Sequence, residues 1–210
     1  VGLGKGATVA IQGFGNAGMY MAKLLQKQGY KIVVISDSGG TSCNYMGINV
    51  DDIERHKKET GSVLDYPGGD KTMGDHCLEH EIDILVHAAL ENSITKENAG
   101  SIKAKLVVEL ANGPITPEAD EILNKKNILV VPDILANAGG VAVSYFEQVQ
   151  NAYGYYWTEG EVLKKLEEVM VGAFNEVWKE KENYQTSVRM GAYALAVKRV
   201  AQAMKDRGWV

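Results

Sequence analysis

With 210 residues, 45% of them hydrophobic, the chain can bury a full core, as one large domain or as a domain with an appended helical piece. Its 22 basic and 27 acidic residues leave a net charge of −5 with no long block of like sign, which argues against nucleic-acid and membrane partners. Only Cys43 and Cys77 are present, too few for a disulfide framework or a Cys-rich zinc site; an intracellular, cytoplasmic setting is expected, and no apolar run reaches the ~20 residues that would cross a bilayer.

The chain has no initiating Met and opens almost at once into a strand, so a piece of a longer protein is expected. "ATVAIQ" (7–12) reads as a short apolar strand, followed directly by Gly13, Gly15 and Gly18. A helix should begin near Asn16, with Ala17, Met21, Leu24 and Leu25 on its inner face, and end at Gly29. "YKIVVIS" (30–36), rich in β-branched residues, gives a second strand that closes at Asp37. Strand, glycine turn, helix and strand form one βαβ unit, and the near-continuous apolar strands point to a parallel sheet covered on both faces.

Residues 38–74 are less regular; a helix is expected over 50–59 after a turn at Gly47. "IDILVHAAL" (82–90) resumes as a buried strand, a short helical turn starts at Thr95, and "AKLVVEL" (104–110) is the next strand. Thr116 and Pro117 stand in the order of a cap and a first helical residue. "NILVVP" (127–132) is a further strand, after which the period becomes helical. Thr158 and Glu161 fit a capping box ahead of an apolar stripe of Val162, Leu166, Val169, Ala173 and Val177. A last helix over 187–207 carries Ala194, Val197, Ala201 and Met204 on one side. The expected fold is α/β, a Rossmann-like, doubly wound, mostly parallel sheet with additional C-terminal helices. Its dinucleotide-binding domain should span 1–153, and helices of 154–210 should cover it.

"GFGNAG" (13–18) between a strand and a helix has a specific physical use. The first glycine permits the tight turn, the second lets a pyrophosphate approach the backbone, and the third lets helix and strand pack closely. Free N–H groups at the helix start then face phosphate oxygens. Asp37 follows at about the ~20-residue interval expected of the acid that takes the adenosine ribose hydroxyls. "SDSGG" brings no Lys or Arg for a 2′-phosphate, so NAD is favoured over NADP. Methyltransferases share a related turn and acid, and remain an alternative at this point. Ala88 and Ala89 leave room for a flat ring beyond the third strand, and Asn112 and Asn137, read as lying at strand ends, could serve a carboxamide.

No metal site is expected. "HCLEH" sets His76 and His80 four apart without the Glu of a zincin and reads as a solvated helix face. His87, at an apolar strand end, is either a satisfied core histidine or a cofactor contact. The pairs Lys57/Lys58 and Lys164/Lys165 read as solvated helix faces, and Asp51/Asp52 and Glu167/Glu168 as poor acid/base partners.

The segments "VAIQGFGNAG", "VISDSGG", "AALEN", "ELANGPITPEAD", "ILVVPDILANAGGVAVSYFEQVQN" and "YYWTEGEV" together resemble the cofactor-binding domain of glutamate dehydrogenases, within the glutamate/leucine/phenylalanine/valine dehydrogenase family. The resemblance runs over essentially the whole chain. It implies oxidative deamination of L-glutamate to 2-oxoglutarate and ammonia in the complete enzyme, a homo-hexamer built largely through another domain. It also implies that Gly13, Phe14, Gly15, Asn16 and Ala17 hold the pyrophosphate, and that Asp37, with Ser38 beside it, binds the adenosine ribose. Ala88, Ala89, Asn112 and Asn137 would line the nicotinamide and its ribose; Val141 and Ser144 would face the substrate, Ser144 donating to its γ-carboxylate. No catalytic residue is expected in this chain: the family's catalytic Lys and Asp belong to an N-terminal substrate domain, so the chain alone should be inactive. His87 stands where the family usually has Pro, and Leu110 where it commonly has Gly. The alternatives are the cofactor domain of another amino-acid dehydrogenase and a non-catalytic NAD-binding regulatory module.

Overall fold

The computed structural model describes residues 2–72 and 77–209. Two compact units divide the chain, Val1–Val130 and Val131–Val210.

The first unit is built on a seven-stranded sheet of order β4-β3-β2-β1-β5-β6-β7, which β7 enters from the unit boundary. In chain order its elements are β1 (Thr8–Gln12), α1 (Asn16–Lys27), β2 (Lys31–Asp37), β3 (Gly40–Cys43), α2 (Val50–Thr60) and β4 (Asp70–Thr72). A 3-10 turn (Cys77–Glu79), β5 (Ile84–His87), a second 3-10 turn (Ala99–Ser101), β6 (Leu106–Glu109), α3 (Pro117–Lys125) and β7 (Leu129–Val131) follow. The pairs β1–β2, β1–β5 and β5–β6 are parallel, as the apolar runs require. By contrast β2–β3 and β3–β4 are antiparallel, so the mostly parallel sheet carries an antiparallel edge. The chain starts in the middle, builds outward to β4, then returns to the other side of β1. The switch point of the strand order therefore falls between β1 and β5.

One face of the sheet packs Val9, Ile11, Ile32, Ile35 and Val86 against Ala22 of α1 and Val50 and Ile53 of α2. The other packs Ala10, Val34, Leu85 and Val107 against Ala119 and Leu123 of α3 and the two 3-10 turns. A bulge lies in β2, where the register with β1 jumps between Val9↔Ile32 and Ala10↔Val34 and leaves Val33 as the extra residue. Val33 and Val34 consequently serve the same core. Near the carboxyl ends of the parallel strands a row of register partners is polar, Ser36, Gln12, His87 and Glu109, continued by Thr41 at the start of antiparallel β3, all buried.

Local chemistry explains the helix ends. Asn49 caps α2 by accepting from the N–H groups of Asp51 and Asp52, and Gly61 ends it at φ 88°. Thr116 caps α3 ahead of Pro117, as the sequence predicts. α1 differs from expectation in its inner face. Gly18 and Ala22 are buried and Met21 and Leu25 half-buried, whereas Ala17 and Leu24 are exposed. The stripe is displaced because Gly18 faces the sheet, where a side chain would have carried α1 away from it.

The second unit comprises α4 (Asp133–Ala136), α5 (Gly139–Tyr153), α6 (Glu159–Tyr184) and α7 (Val188–Asp206). The capping box of Thr158 and Glu161 is present, and Ser187 caps α7 through the N–H of Met190. α6 packs on α5 and most closely on α7. A Cβ placed on Gly191 would lie 2.8 Å from the Lys181 nitrogen and 2.9 Å from the Val177 oxygen. The expected stripes need correction at Val169 and Val197, which are exposed; Met170 rather than Val169 continues the half-buried line of α6. Among the described residues no helix is long and apolar enough to cross a membrane.

Candidate functional site

The glycine turn after β1 is held by three contacts that only glycine allows. Gly13 sits at φ 91°, and a Cβ there would meet the Ala88 carbonyl oxygen at 2.5 Å and the Ala89 nitrogen at 2.8 Å. At Gly18 the added atom would lie 1.9 Å from the Gly13 oxygen, so the helix start presses directly on the turn. Gly15 is different: it is exposed, in an extended conformation, with nothing within 4 Å of where its Cβ would be. As the N-cap of α1 it supplies no side-chain bond to the first turn, where Asn16 and Ala17 are exposed. Two closed glycines and one open one leave a cradle of backbone N–H groups at a helix N-terminus, suited to an anion. Phe14 turns its side chain into the core at 3% exposure and anchors the turn from below.

The structure brings Ala88 and Ala89 to this cradle. Ala88 N–H donates to the Gln12 carbonyl at 2.7 Å, and Gly13 N–H to that of Ser36 at 3.0 Å, so the ends of β2, β1 and β5 are laced together. Asn112 lies exposed on the loop after β6, and that loop pairs with the one after β5 through Asn92 N–H to Gly113 O at 2.8 Å.

Asp37 ends β2 with its carboxylate fully engaged. Oδ1 accepts from Gly39 N–H (2.9 Å) and Ser62 Oγ (2.8 Å); Oδ2 accepts from Lys57 Nζ (2.7 Å) and Val63 N–H (2.9 Å). Burial pushes this carboxyl up, but the hydrogen bonds from Lys57, Gly39, Ser62 and Val63 together outweigh it and hold it below the ordinary carboxylate range. Lys57 Nζ also lies 6.0 Å from the Phe14 ring centroid. Lys57 therefore does not sit on a solvated face as expected; only Lys58, paired with Glu54 at 2.7 Å, does. Sequence reasoning missed both Lys57 and Ser62, because they reach Asp37 from 20 and 25 residues away. The one available signal was a basic residue in the last turn of α2. Ser38 is exposed beside this cluster.

In the second unit, Asn137 caps the C-terminus of the one-turn α4 and so does not sit at a strand end as expected. Val141 (74% exposed) and Ser144 (exposed) follow on α5, three apart and hence on one face. Packing within the unit does not demand glycine ahead of them. A Cβ at Gly139 would make ordinary contacts with Leu166 and Met170, and one at Gly140 none.

The "HCLEH" reading is also revised. His76 lies outside the described residues. Cys77–Glu79 is a 3-10 turn with Cys77 and Leu78 buried, and His80 Nδ1 contacts the Tyr45 hydroxyl at 2.9 Å. No group of three or more His, Cys, Asp or Glu that could hold a metal occurs among the described residues. His87 is completely buried.

A glycine cradle at the switch point of a Rossmann-like sheet, with an acid at the end of the next strand, defines a nucleotide-cofactor domain. The chain belongs to the Glutamate/Leucine/Phenylalanine/Valine dehydrogenase family, whose family model matches residues 2–208. It is 55% identical over 205 residues to the glutamate dehydrogenase of Thermotoga maritima, covering 97% of this chain and 49% of that protein. Among solved structures it is similar to the hetero-hexameric glutamate dehydrogenase of Thermus thermophilus in its Leu-bound form. There the TM-score is 0.90 at 32% identity, with 97% of this chain and 48% of that one covered. Similarity to the glutamate dehydrogenase of Peptoniphilus asaccharolyticus gives a TM-score of 0.84 at 40% identity, covering 99% and 48%. The chain thus spans about half the length of the relatives it matches.

Proposed function

We propose that this chain is the NAD-binding part of a glutamate dehydrogenase that, as a longer protein, oxidatively deaminates L-glutamate to 2-oxoglutarate and ammonia. The observation that carries the cofactor reading is the cradle: Gly13 and Gly18 closed against the backbone, Gly15 open. When bound, the dinucleotide supplies the acceptor for the hydride leaving the substrate Cα. The chain's own residues bind and orient. Gly13 and Phe14 set the turn; Gly15, Asn16 and Ala17 offer backbone N–H groups to the pyrophosphate. Asp37 and Ser38 take the adenosine ribose, with Asp37 exchanging one of its internal partners for a ribose hydroxyl. Ala88, Ala89, Asn112 and Asn137 line the nicotinamide and its ribose. Val141 and Ser144 face the substrate, and a hydroxyl at 144 suits a γ-carboxylate where an apolar side chain would suit leucine or phenylalanine.

NAD is preferred to NADP because the cation beside the ribose acid, Lys57, is already neutralised by Asp37 at 2.7 Å. Residues 1–153 serve the dinucleotide, and the helices from 154 lead toward a substrate domain that brings the catalytic Lys and Asp. The longer protein assembles as a homo-hexamer. Two buried thiols, Cys43 and Cys77, suit the cytoplasm.

The test is calorimetry with NAD on this chain and on Gly15→Ala. Position 15 has room for a methyl group and a φ of −82° that alanine tolerates, so the variant should keep its melting temperature. It should lose at least about tenfold in affinity, because the methyl group occupies the space a pyrophosphate needs. A folded wild-type chain that binds no NAD, or a Gly15→Ala variant that binds equally well, would sink the cofactor reading.

A further inference from the structure

His87 closes β5 immediately before Ala88 and Ala89, with no exposed surface at all. A buried imidazole is costly unless its nitrogens are bonded, so its partners are informative. Nε2 is hydrogen-bonded to Oγ of Ser93, at the far end of the loop that carries the two alanines. The single hydroxyl proton of Ser93 goes to the Leu90 carbonyl at 3.1 Å, so the imidazole N–H is the donor in the bond between the two side chains. The ring therefore ties both ends of the 88–93 loop from inside. Its backbone carbonyl accepts from Leu110 N–H (2.8 Å) and Ala111 N–H (3.0 Å), fixing the start of the loop that carries Asn112. Both loops hang from one residue. On either side, Gln12 and Glu109 are its register partners, themselves buried.

On the NAD reading above, Asp37 marks the adenosine end of the dinucleotide, and β5 and β6 lie across β1 from it. We infer that His87 is a positioning residue for the nicotinamide end: through Ser93 it holds the Ala88–Ala89 backbone at the depth where a planar ring can seat. This inference rests on that reading and goes beyond it. The ring end needs its loops at fixed height, because a flat group gains from contact over its whole face, whereas the pyrophosphate is gripped by the Gly13–Ala17 backbone whatever His87 does.

The experiment compares NADH with ADP-ribose, which lacks the nicotinamide. Binding to the wild-type chain, His87→Ala, His87→Gln and Ser93→Ala is measured by calorimetry, together with the fluorescence change of the NADH ring. His87→Ala and Ser93→Ala should weaken NADH about tenfold and blunt its fluorescence change, while ADP-ribose affinity stays within about twofold. His87→Gln, which keeps an N–H donor of similar reach, should recover most of the loss. Equal weakening of both ligands would show a merely structural residue and overturn the inference, as would unchanged NADH binding in Ser93→Ala. The latter variant keeps the buried imidazole and decides the matter if His87→Ala does not fold. A wild-type chain that binds ADP-ribose and NADH alike, with no ring signal, overturns the inference alone; one that binds neither overturns the NAD reading with it.

Discussion

Asp37 and Lys57 meet across 20 residues of sequence at 2.7 Å, with side-chain exposures of 7% and 28%. Removing either charge changes what the other faces. In the wild-type chain a 2′-phosphate would approach a carboxylate whose cation is already spent. Asp37→Asn takes away the repulsion and releases Lys57, so NADP affinity should rise by about tenfold or more. NAD affinity should fall by a similar factor as a charge-assisted bond to the ribose is lost. In Asp37→Asn/Lys57→Met the gain for NADP should vanish. Titration of the three chains with both dinucleotides checks this, and a gain that survives the loss of Lys57 would show that the cation plays no part. None of this was legible in "SDSGG", because the deciding charge arrives from α2 and a sequence window around Asp37 does not contain it.

At the scale of elements, local signals were readable wherever the chemistry is local. The caps expected at Thr116 and Thr158 lie within three residues of the groups they satisfy, and both form; Ser187 caps α7 over the same short range. β3 and β4 were invisible. "GTSC" and "DKT" are short and largely polar, and they become strands only because β2 presents an edge to β3 and β3 in turn to β4. The α1 face was misjudged for a related reason: hydrophobic periodicity gives weight to Leu24 and none to Gly18, yet it is Gly18 that the sheet requires. The α6–α7 contact is a second place where a missing side chain sets the distance. Gly191→Ala would drive a methyl group into the backbone of α6, within 3 Å of Lys181 N and Val177 O. A destabilisation of about 1–3 kcal/mol is expected, read as a lower denaturation midpoint with an unchanged slope. Gly160→Ala, at the start of α6 with open space around it, is the control and should cost nothing measurable.

For the whole molecule, family membership and the proportion of the relatives covered lead to one expectation about catalysis. Added to glutamate and NAD, the 210-residue chain should produce no NADH above background, because on the proposed reading the base belongs to another domain. The longer protein should deaminate glutamate in strong preference to leucine or phenylalanine, as a spectrophotometric substrate panel would show. Turnover by the chain alone would refute the assignment of the base to another domain, and a preference for leucine or phenylalanine would refute the role given to Ser144. Much of the cofactor cradle was readable because glycine spacing reflects backbone geometry within one turn. Asn137, by contrast, was misplaced at a strand end because a one-turn helix such as α4 leaves no periodic signature.

The bulge in β2 bears on all of this through simple parity. Alternation along a strand sends successive side chains to opposite faces, so an extra residue at Val33 reverses every assignment after it. With it, Ile35 joins the α1/α2 core and Asp37 points to the same side, toward Lys57, while Ser36 turns to the opposite face. Without it the count would shift by one, presenting a hydroxyl to α2 and burying a carboxylate beside Gln12. One codon in the middle of an apolar strand thus decides whether the acid meets Lys57 and the end of α2 or is turned to the other side of the sheet.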